Sequence, residues 1–345
     1  MHATYYYRLA AIGLVLYQTA ALLLAADGDQ KSGATQPALS TKDLAGKRIM
    51  VLGDSITQDG RYVSFLEYDL NTLNRDGRFD VISVGLASET TSGLSEPGHP
   101  FPRPCVHERL ERALTKVKPQ VLIACYGMND GIYHPQSPER MKAFQDGVMR
   151  LIRTAQEHKV ERIVLLTPPV FDITAFTQVM KDGEAWHYFR PYFKYDDVLA
   201  DYARWIMSLR IQGVTTIDLH TAMAAALAER RKKDPKFHFA GDGVHPNDLG
   251  HLIMAHVVLN GLGEKFSASE AEQELQGVCM DPRLALISQR RKLRSDGWLP
   301  YVGYTRGETF HRDSIEDIEK KASELQQKID RLPRQRGCLP VAPEK

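Results

Sequence analysis

Cysteine is scarce in this chain of 345 residues: only Cys105, Cys125, Cys279 and Cys338 are present. Four cysteines allow three pairings, and nothing in the spacing selects one. An excess of charge of one sign is also missing. Lys+Arg total 44 against Asp+Glu 43, which argues against a nucleic-acid binder or a strongly acidic partner. No internal repeat of 20–50 residues is visible, so a solenoid is not indicated. What remains is an ordinary globular composition, 43% hydrophobic and 25% charged, long enough to bury a substantial core as one large domain with an appendage.

The amino end has its own layout. Arg8 precedes an apolar stretch from Leu9 to Ala26, broken only by Tyr17, Gln18 and Thr19, and polar residues follow from Asp27 to Lys31. Basic, apolar and small residues in that order describe a secretory signal peptide over residues 1–26. A retained anchor is the alternative, because the apolar stretch is close to the minimum for a span. Residues 27–44, rich in Gly, Ser, Thr, Pro and Ala, read as a disordered lead-in. The expected destination is periplasmic or extracellular, with no stable membrane insertion after cleavage. Export permits disulfides: Cys279 and Cys338 flank the carboxy-terminal region and are placed to staple it, whereas Cys125 reads as a buried free thiol.

Along the body, apolar runs stop repeatedly at turn residues. Arg48–Leu52 stops at Gly53, Phe79–Val84 at Gly85, Val121–Cys125 at Gly127, Arg162–Leu166 at Pro168, and Val214–Leu219 forms a fifth run. Helical spacing separates them: Val63, Leu66 and Leu70; a helix opening at Ser137-Pro138 with Met141, Phe144, Val148, Leu151, Ile152 and Ala155 on one face; and one near 197–210. Five short strands alternating with amphipathic helices predict an α/β domain over residues 45–263 with a doubly wound, parallel five-stranded sheet. From 264 to 345 the sequence becomes charged and helix-rich, with Ser314 and Asp317 opening a helix, and reads as a helical carboxy-terminal extension folded against the main domain.

Two stretches interrupt the rhythm. Residues 86–108 carry Gly93, Gly98 and Pro97, Pro100, Pro102 and Pro104, a long irregular loop. Residues 168–196 concentrate Phe171, Phe176, Trp186, Tyr188, Phe189, Tyr192, Phe193 and Tyr195. So much aromatic surface argues for order, as a lid, a secondary core or a platform on which sugars stack through Trp186.

The chemistry is concentrated at strand ends, where parallel-sheet enzymes place it. Gly53 is followed by Asp54 and Ser55. A serine needs a base, and the base needs a third group to hold its tautomer. Gly241-Asp-Gly-Val-His-Pro246 supplies both, since Asp242 lies three residues before His245 on a glycine-containing turn. Gly85 and Asn129 offer an unobstructed backbone N–H and a side-chain NH₂ that suit an oxyanion. Each alone has an ordinary reading as a turn or capping residue. A metal set of Asp54, Asp242, His245 and His251 is a weaker alternative, because no carboxylate-rich cluster at ligand spacing supports it.

Together, Gly53-Asp-Ser-Ile-Thr57, Gly85, Gly127-Met-Asn129-Asp130 and Asp242-Gly-Val-His245 resemble, in order, the four blocks of the SGNH (GDSL-type) hydrolases, a family of serine esterases and lipases. The resemblance spans roughly residues 47–262. It implies a flavodoxin-like three-layer αβα sandwich, no cofactor, and a catalytic triad of Ser55, His245 and Asp242. It also implies an oxyanion hole from Ser55, Gly85 and Asn129. Asp54 and Trp186 stand as substrate-binding candidates. The glycine block departs from the family's frequent second glycine, continuing Gly85-Leu-Ala-Ser88. Gly-x-Ser-x-Gly is absent around Ser55, against an α/β-hydrolase nucleophile elbow. The expected substrate is a small-molecule or polysaccharide ester, with acetyl groups on carbohydrate favoured over lipid or small esters. A non-catalytic glycan-binding protein is the rival from another class.

Overall fold

The computed structural model describes residues 39–74, 77–176, 185–303 and 313–333. Five strands, β1 (Arg48–Gly53), β2 (Asp80–Ser83), β3 (Val121–Cys125), β4 (Arg162–Leu166) and β5 (Val214–Ile217), form one parallel sheet in the order β2-β1-β3-β4-β5. Helices cover both faces, which is why β1 and β3 read as nearly uninterrupted apolar runs. In this order the chain leaves β1 to one side and returns to the other. The carboxyl ends of β1 and β3 therefore flank the crevice where such sheets bind ligands.

The helices are α1 (Ser55–Asp59), α2 (Arg61–Leu73), α3 (Leu110–Val117), α4 (Pro138–Glu157), α5 (Tyr195–Ser208), α6 (Leu219–Arg231), α7 (Asp248–Gly261), α8 (Ala271–Met280), α9 (Pro282–Tyr301) and α10 (Ile315–Arg331). Their starts follow the side chains that satisfy the first free N–H groups. Ser137 caps α4 ahead of Pro138, Asn247 caps α7, and Ser314 accepts from Asp317 N to open α10. The strand expected to run to Leu219 ends at Ile217, because the Asp218 side chain accepts from Thr221 N and opens α6. Pairs α2 with α7 and α3 with α4 pack side by side.

The lead-in expected over residues 27–44 is shorter at its carboxyl end. Leu39 and Leu44 are buried in the core and Thr41–Leu44 forms a 3₁₀ turn, since these two leucines have apolar partners that outweigh the local polar composition. Residues 1–38, with the signal-peptide expectation, lie outside the described residues, as does Cys338. Cys105, Cys125 and Cys279 are free, Cys125 being buried. No helix among the described residues is long and apolar enough to cross a membrane. From residue 264 onward the described chain belongs to the same compact unit as the sheet. There α9 packs on α2, β2 and α10.

Candidate active site

The ends of β2, β1 and β3 lie side by side in the sheet, and Ser55 follows the central one and meets the loop before α7. The turn out of β1 is made by Asp54, which is 3% exposed and whose carboxylate accepts the Ile56 N–H at 3.0 Å, capping α1. Ser55 is the first residue of that helix, so its N–H has no partner within the helix by position. Burial pushes the Asp54 carboxyl up to about 7, against the pull of the Ile56 N–H and His245. Asp54, a substrate-binding candidate from the sequence, is buried with its carboxylate turned onto the first turn of α1.

Across from Ser55, the loop before α7 brings in His245. Its Nε2 lies 2.7 Å from Ser55 Oγ and its Nδ1 2.6 Å from Asp242 Oδ2. A carboxylate only accepts, so Nδ1 carries the proton and Nε2 is the acceptor for the serine hydroxyl. Asp242 is itself fixed, because its Oδ1 accepts from the N–H groups of Val244 and His245 at 3.0 and 2.8 Å. Burial would raise the Asp242 carboxyl, but the hydrogen bonds from His245 and Val244 outweigh it and hold it down at about 2. Burial alone would lower His245. The Asp242 hydrogen bond and charge, with Asp54 and Asp59, raise it above the ordinary histidine value.

The loop is tethered to the end of α1 by Arg61. Its guanidinium donates to Asp59 Oδ1 at 2.8 Å, to Asp248 Oδ1 at 2.6 Å and to the Pro246 carbonyl at 3.0 Å. His251, a member of the alternative metal set, has its Nδ1 occupied by the Tyr62 N–H at 3.2 Å. Among the described residues, no three His, Cys, Asp or Glu side chains are grouped to hold a metal ion.

Gly85 follows β2 and lies against α1. A Cβ there would sit 2.4 Å from Gln58 N and 2.5 Å from the Thr57 carbonyl carbon, so only glycine allows the approach. Asn129 follows β3 and is 4% exposed. Its Oδ1 accepts from Arg103 Nη1 at 2.9 Å and faces the Tyr133 hydroxyl at 3.3 Å, while Nδ2 donates to the Glu89 carbonyl at 3.3 Å. Beside it Asp130 holds the long loop after β2, accepting from Thr91 N at 2.8 Å and Ser92 N at 2.7 Å.

The two irregular segments meet. Tyr188 N donates to Glu96 Oε1 at 3.3 Å, and a Cβ on Gly98 would strike the His187 ring at 2.7 Å. Trp186 is half-buried and stands edge-on to Tyr192, with ring centroids 5.3 Å apart. Phe189 is 60% exposed, and residues 177–184 lie outside the described residues. The sequence singled out neither Arg61, Arg103 nor Tyr133. The one local signal was an arginine bracketed by Pro102 and Pro104 within a loop already expected to be ordered.

A sequence model of the GDSL-like lipase/acylhydrolase family matches residues 51–253. No curated protein matches the chain. Among solved structures, a gut microbial diltiazem-metabolizing enzyme is similar at 23% identity over 66% of this chain and 48% of its own, with a TM-score of 0.49. A Parabacteroides merdae protein assigned as a GDSL-like lipase is similar at 17% identity over 67% of this chain and 100% of its own, TM-score 0.46. An Agrobacterium tumefaciens protein assigned as an arylesterase is similar at 20% identity, over 63% and 98%, TM-score 0.43. The chain spans about half the length of the first of these.

Proposed function

Since the chain belongs to the GDSL-like lipase/acylhydrolase family, we propose that this hydrolase is a serine carboxylic-ester hydrolase acting through Ser55, His245 and Asp242. The observation that carries the reading is the continuous row from Ser55 Oγ through His245 to Asp242, with contacts of 2.7 and 2.6 Å. His245 Nε2 takes the Ser55 proton as Oγ attacks the ester carbonyl, and Asp242 stabilises the imidazolium that forms. The negative charge on the carbonyl oxygen falls to the Ser55 and Gly85 N–H groups and Asn129 Nδ2. His245 then returns the proton to the departing alcohol. Water, activated by the same imidazole, releases the acid from the acyl-enzyme.

The acyl group we favour is acetyl, carried on carbohydrate and removed by an exported enzyme. That choice is supported by the signal-like order of residues 1–26 and by the aromatic segment that holds Trp186 and exposes Phe189. A panel of nitrophenyl esters of increasing acyl length, followed by acetate release from acetylated polysaccharides, tests it. Highest turnover on acetyl esters and acetate release from the polymer are expected. Turnover that rises with chain length returns the lipid-esterase reading. Trp186→Ala should lower kcat/KM for the polymer and spare nitrophenyl acetate. Equal losses on both would mean that Trp186 supports the fold or the triad rather than recognising glycan.

A further inference from the structure

Two buried arginines stand behind the two donors that come from the strands flanking β1. Arg103 is 5% exposed. Its Nε and Nη2 each donate to the Glu96 carboxylate at 2.6 Å, and its Nη1 donates to Asn129 Oδ1. A guanidinium has no acceptor, so the Asn129 amide is left with one orientation. Its oxygen faces Arg103 and its NH₂ faces away, one N–H meeting the Glu89 carbonyl.

Arg109 acts on the backbone in the same sense. It is 1% exposed, donates through Nε and Nη2 to the two Glu89 carboxylate oxygens at 2.6 Å each, and donates from Nη2 to the Val84 carbonyl at 2.8 Å. Tyr126 OH completes the Glu89 carboxylate at 2.6 Å. The Val84 C=O and the Gly85 N–H belong to one planar trans peptide, in which they point in opposite directions. Holding the carbonyl on Arg109 therefore turns the Gly85 N–H the other way.

We propose that the Arg103–Glu96 and Arg109–Glu89 pairs are positioning pairs that set the direction of two of the three oxyanion donors, Asn129 Nδ2 and Gly85 N–H. The proposal rests on the ester-hydrolase reading above. An amide side chain and a peptide plane beside a glycine can each turn over with little steric resistance, presenting an oxygen where the reaction needs an N–H. A donor that must reorient during the reaction loses its advantage over water. A guanidinium behind each acceptor removes that freedom, and drawing on the carbonyl oxygen makes the opposing N–H a stronger donor. Each glutamate keeps the buried cation paired, without which it would not remain in place.

The test is a double-mutant cycle on nitrophenyl acetate. Arg103→Lys keeps a cation beside Glu96, but a point charge cannot serve Glu96 in a fork and Asn129 as well. It should lower kcat roughly ten- to a hundredfold with KM little changed. In an Asn129→Ala background the same substitution should cost less than about twofold, because the group it orients is gone. Arg109→Lys should lower kcat in both backgrounds, since it acts through Gly85. If Arg103→Lys does not fold, the paired variant Arg103→Met with Glu96→Gln removes both buried charges and should show the same pattern. For Arg103, equal losses with and without Asn129, and for either arginine a rise in KM alone, would show a merely structural role and would overturn the proposal. Labelling with a serine-reactive phosphonate separates the two levels. Label on Ser55 with additive Arg103 losses overturns the positioning pairs alone, whereas an unlabelled Ser55 and a fully active Ser55→Ala overturn the reading beneath them as well.

Discussion

The reaction proposed at Ser55 depends on a neutral imidazole, because only unprotonated His245 Nε2 can take the hydroxyl proton. His245 is raised above the ordinary value of 6.5, chiefly through Asp242 working against burial. Activity should therefore fall as pH drops through that raised value, placing the acid limb of kcat/KM above 6.5. Asp242, held near 2, stays ionised throughout that limb and contributes no second step to it. Replacing it by asparagine removes the influence that lifts His245 and disturbs the tautomer. Asp242→Asn should move the limb to lower pH and reduce turnover by roughly ten-thousandfold. A limb that stayed in place, read from the pH profile of kcat/KM, would show that Asp242 does not govern His245.

Among the elements, α1 is the one whose placement matters most, since it begins with Ser55 and has only five residues. Its carboxyl end is held from a distant helix: Arg291 of α9 donates from Nη2 to the Asp59 carbonyl at 2.6 Å and from Nε to Ser64 Oγ at 2.9 Å. Gly60 makes room, with φ of 70° and space where a Cβ would meet Arg291 Nη1 at 2.2 Å. Gly60→Ala should thus cost about 1–2 kcal/mol for the left-handed backbone and displace Arg291 besides. The measurements are thermal melting and turnover together. An alanine variant with unchanged Tm would show that the junction between α1 and α2 tolerates a side chain. This element also shows what the sequence can and cannot carry. The strands, and Ser55 and Asn129 beyond them, were legible because an apolar run ending in glycine or a turn is a local pattern, and His245 because Asp242 stands three residues before it on a glycine-containing turn. Helix α1 was not, for it consists of five residues with no apolar periodicity, made helical by the Asp54 cap. Arg61, Arg103 and Arg109 were hidden for another reason. Their partners Pro246, Asn129 and Val84 lie 185, 26 and 25 residues away, and an arginine in isolation reads as a solvated surface group.

For the molecule as a whole, the carboxy-terminal helices solve the problem of an open sheet edge. Strand β2 ends the sheet, and Arg294 of α9 reaches across it, donating to the Val81 carbonyl at 2.8 Å, to Asp80 at 2.6 Å and to Glu319 of α10 at 3.0 Å. Arg294→Ala should cost about 1–3 kcal/mol by taking that donor from a buried carbonyl. It should lower Tm while leaving kcat on nitrophenyl acetate unchanged, and an unchanged Tm would count against edge protection by α9. What the molecule does is tested most directly by trapping its intermediate. The intact protein is turned over with nitrophenyl acetate, quenched in acid and measured by mass spectrometry, with digestion to locate the modification. The account predicts a single acetyl group on the peptide containing Ser55 and none on Ser55→Ala, which should be folded and inactive. Full activity of Ser55→Ala, or an acetyl group carried on another residue during turnover, would contradict it.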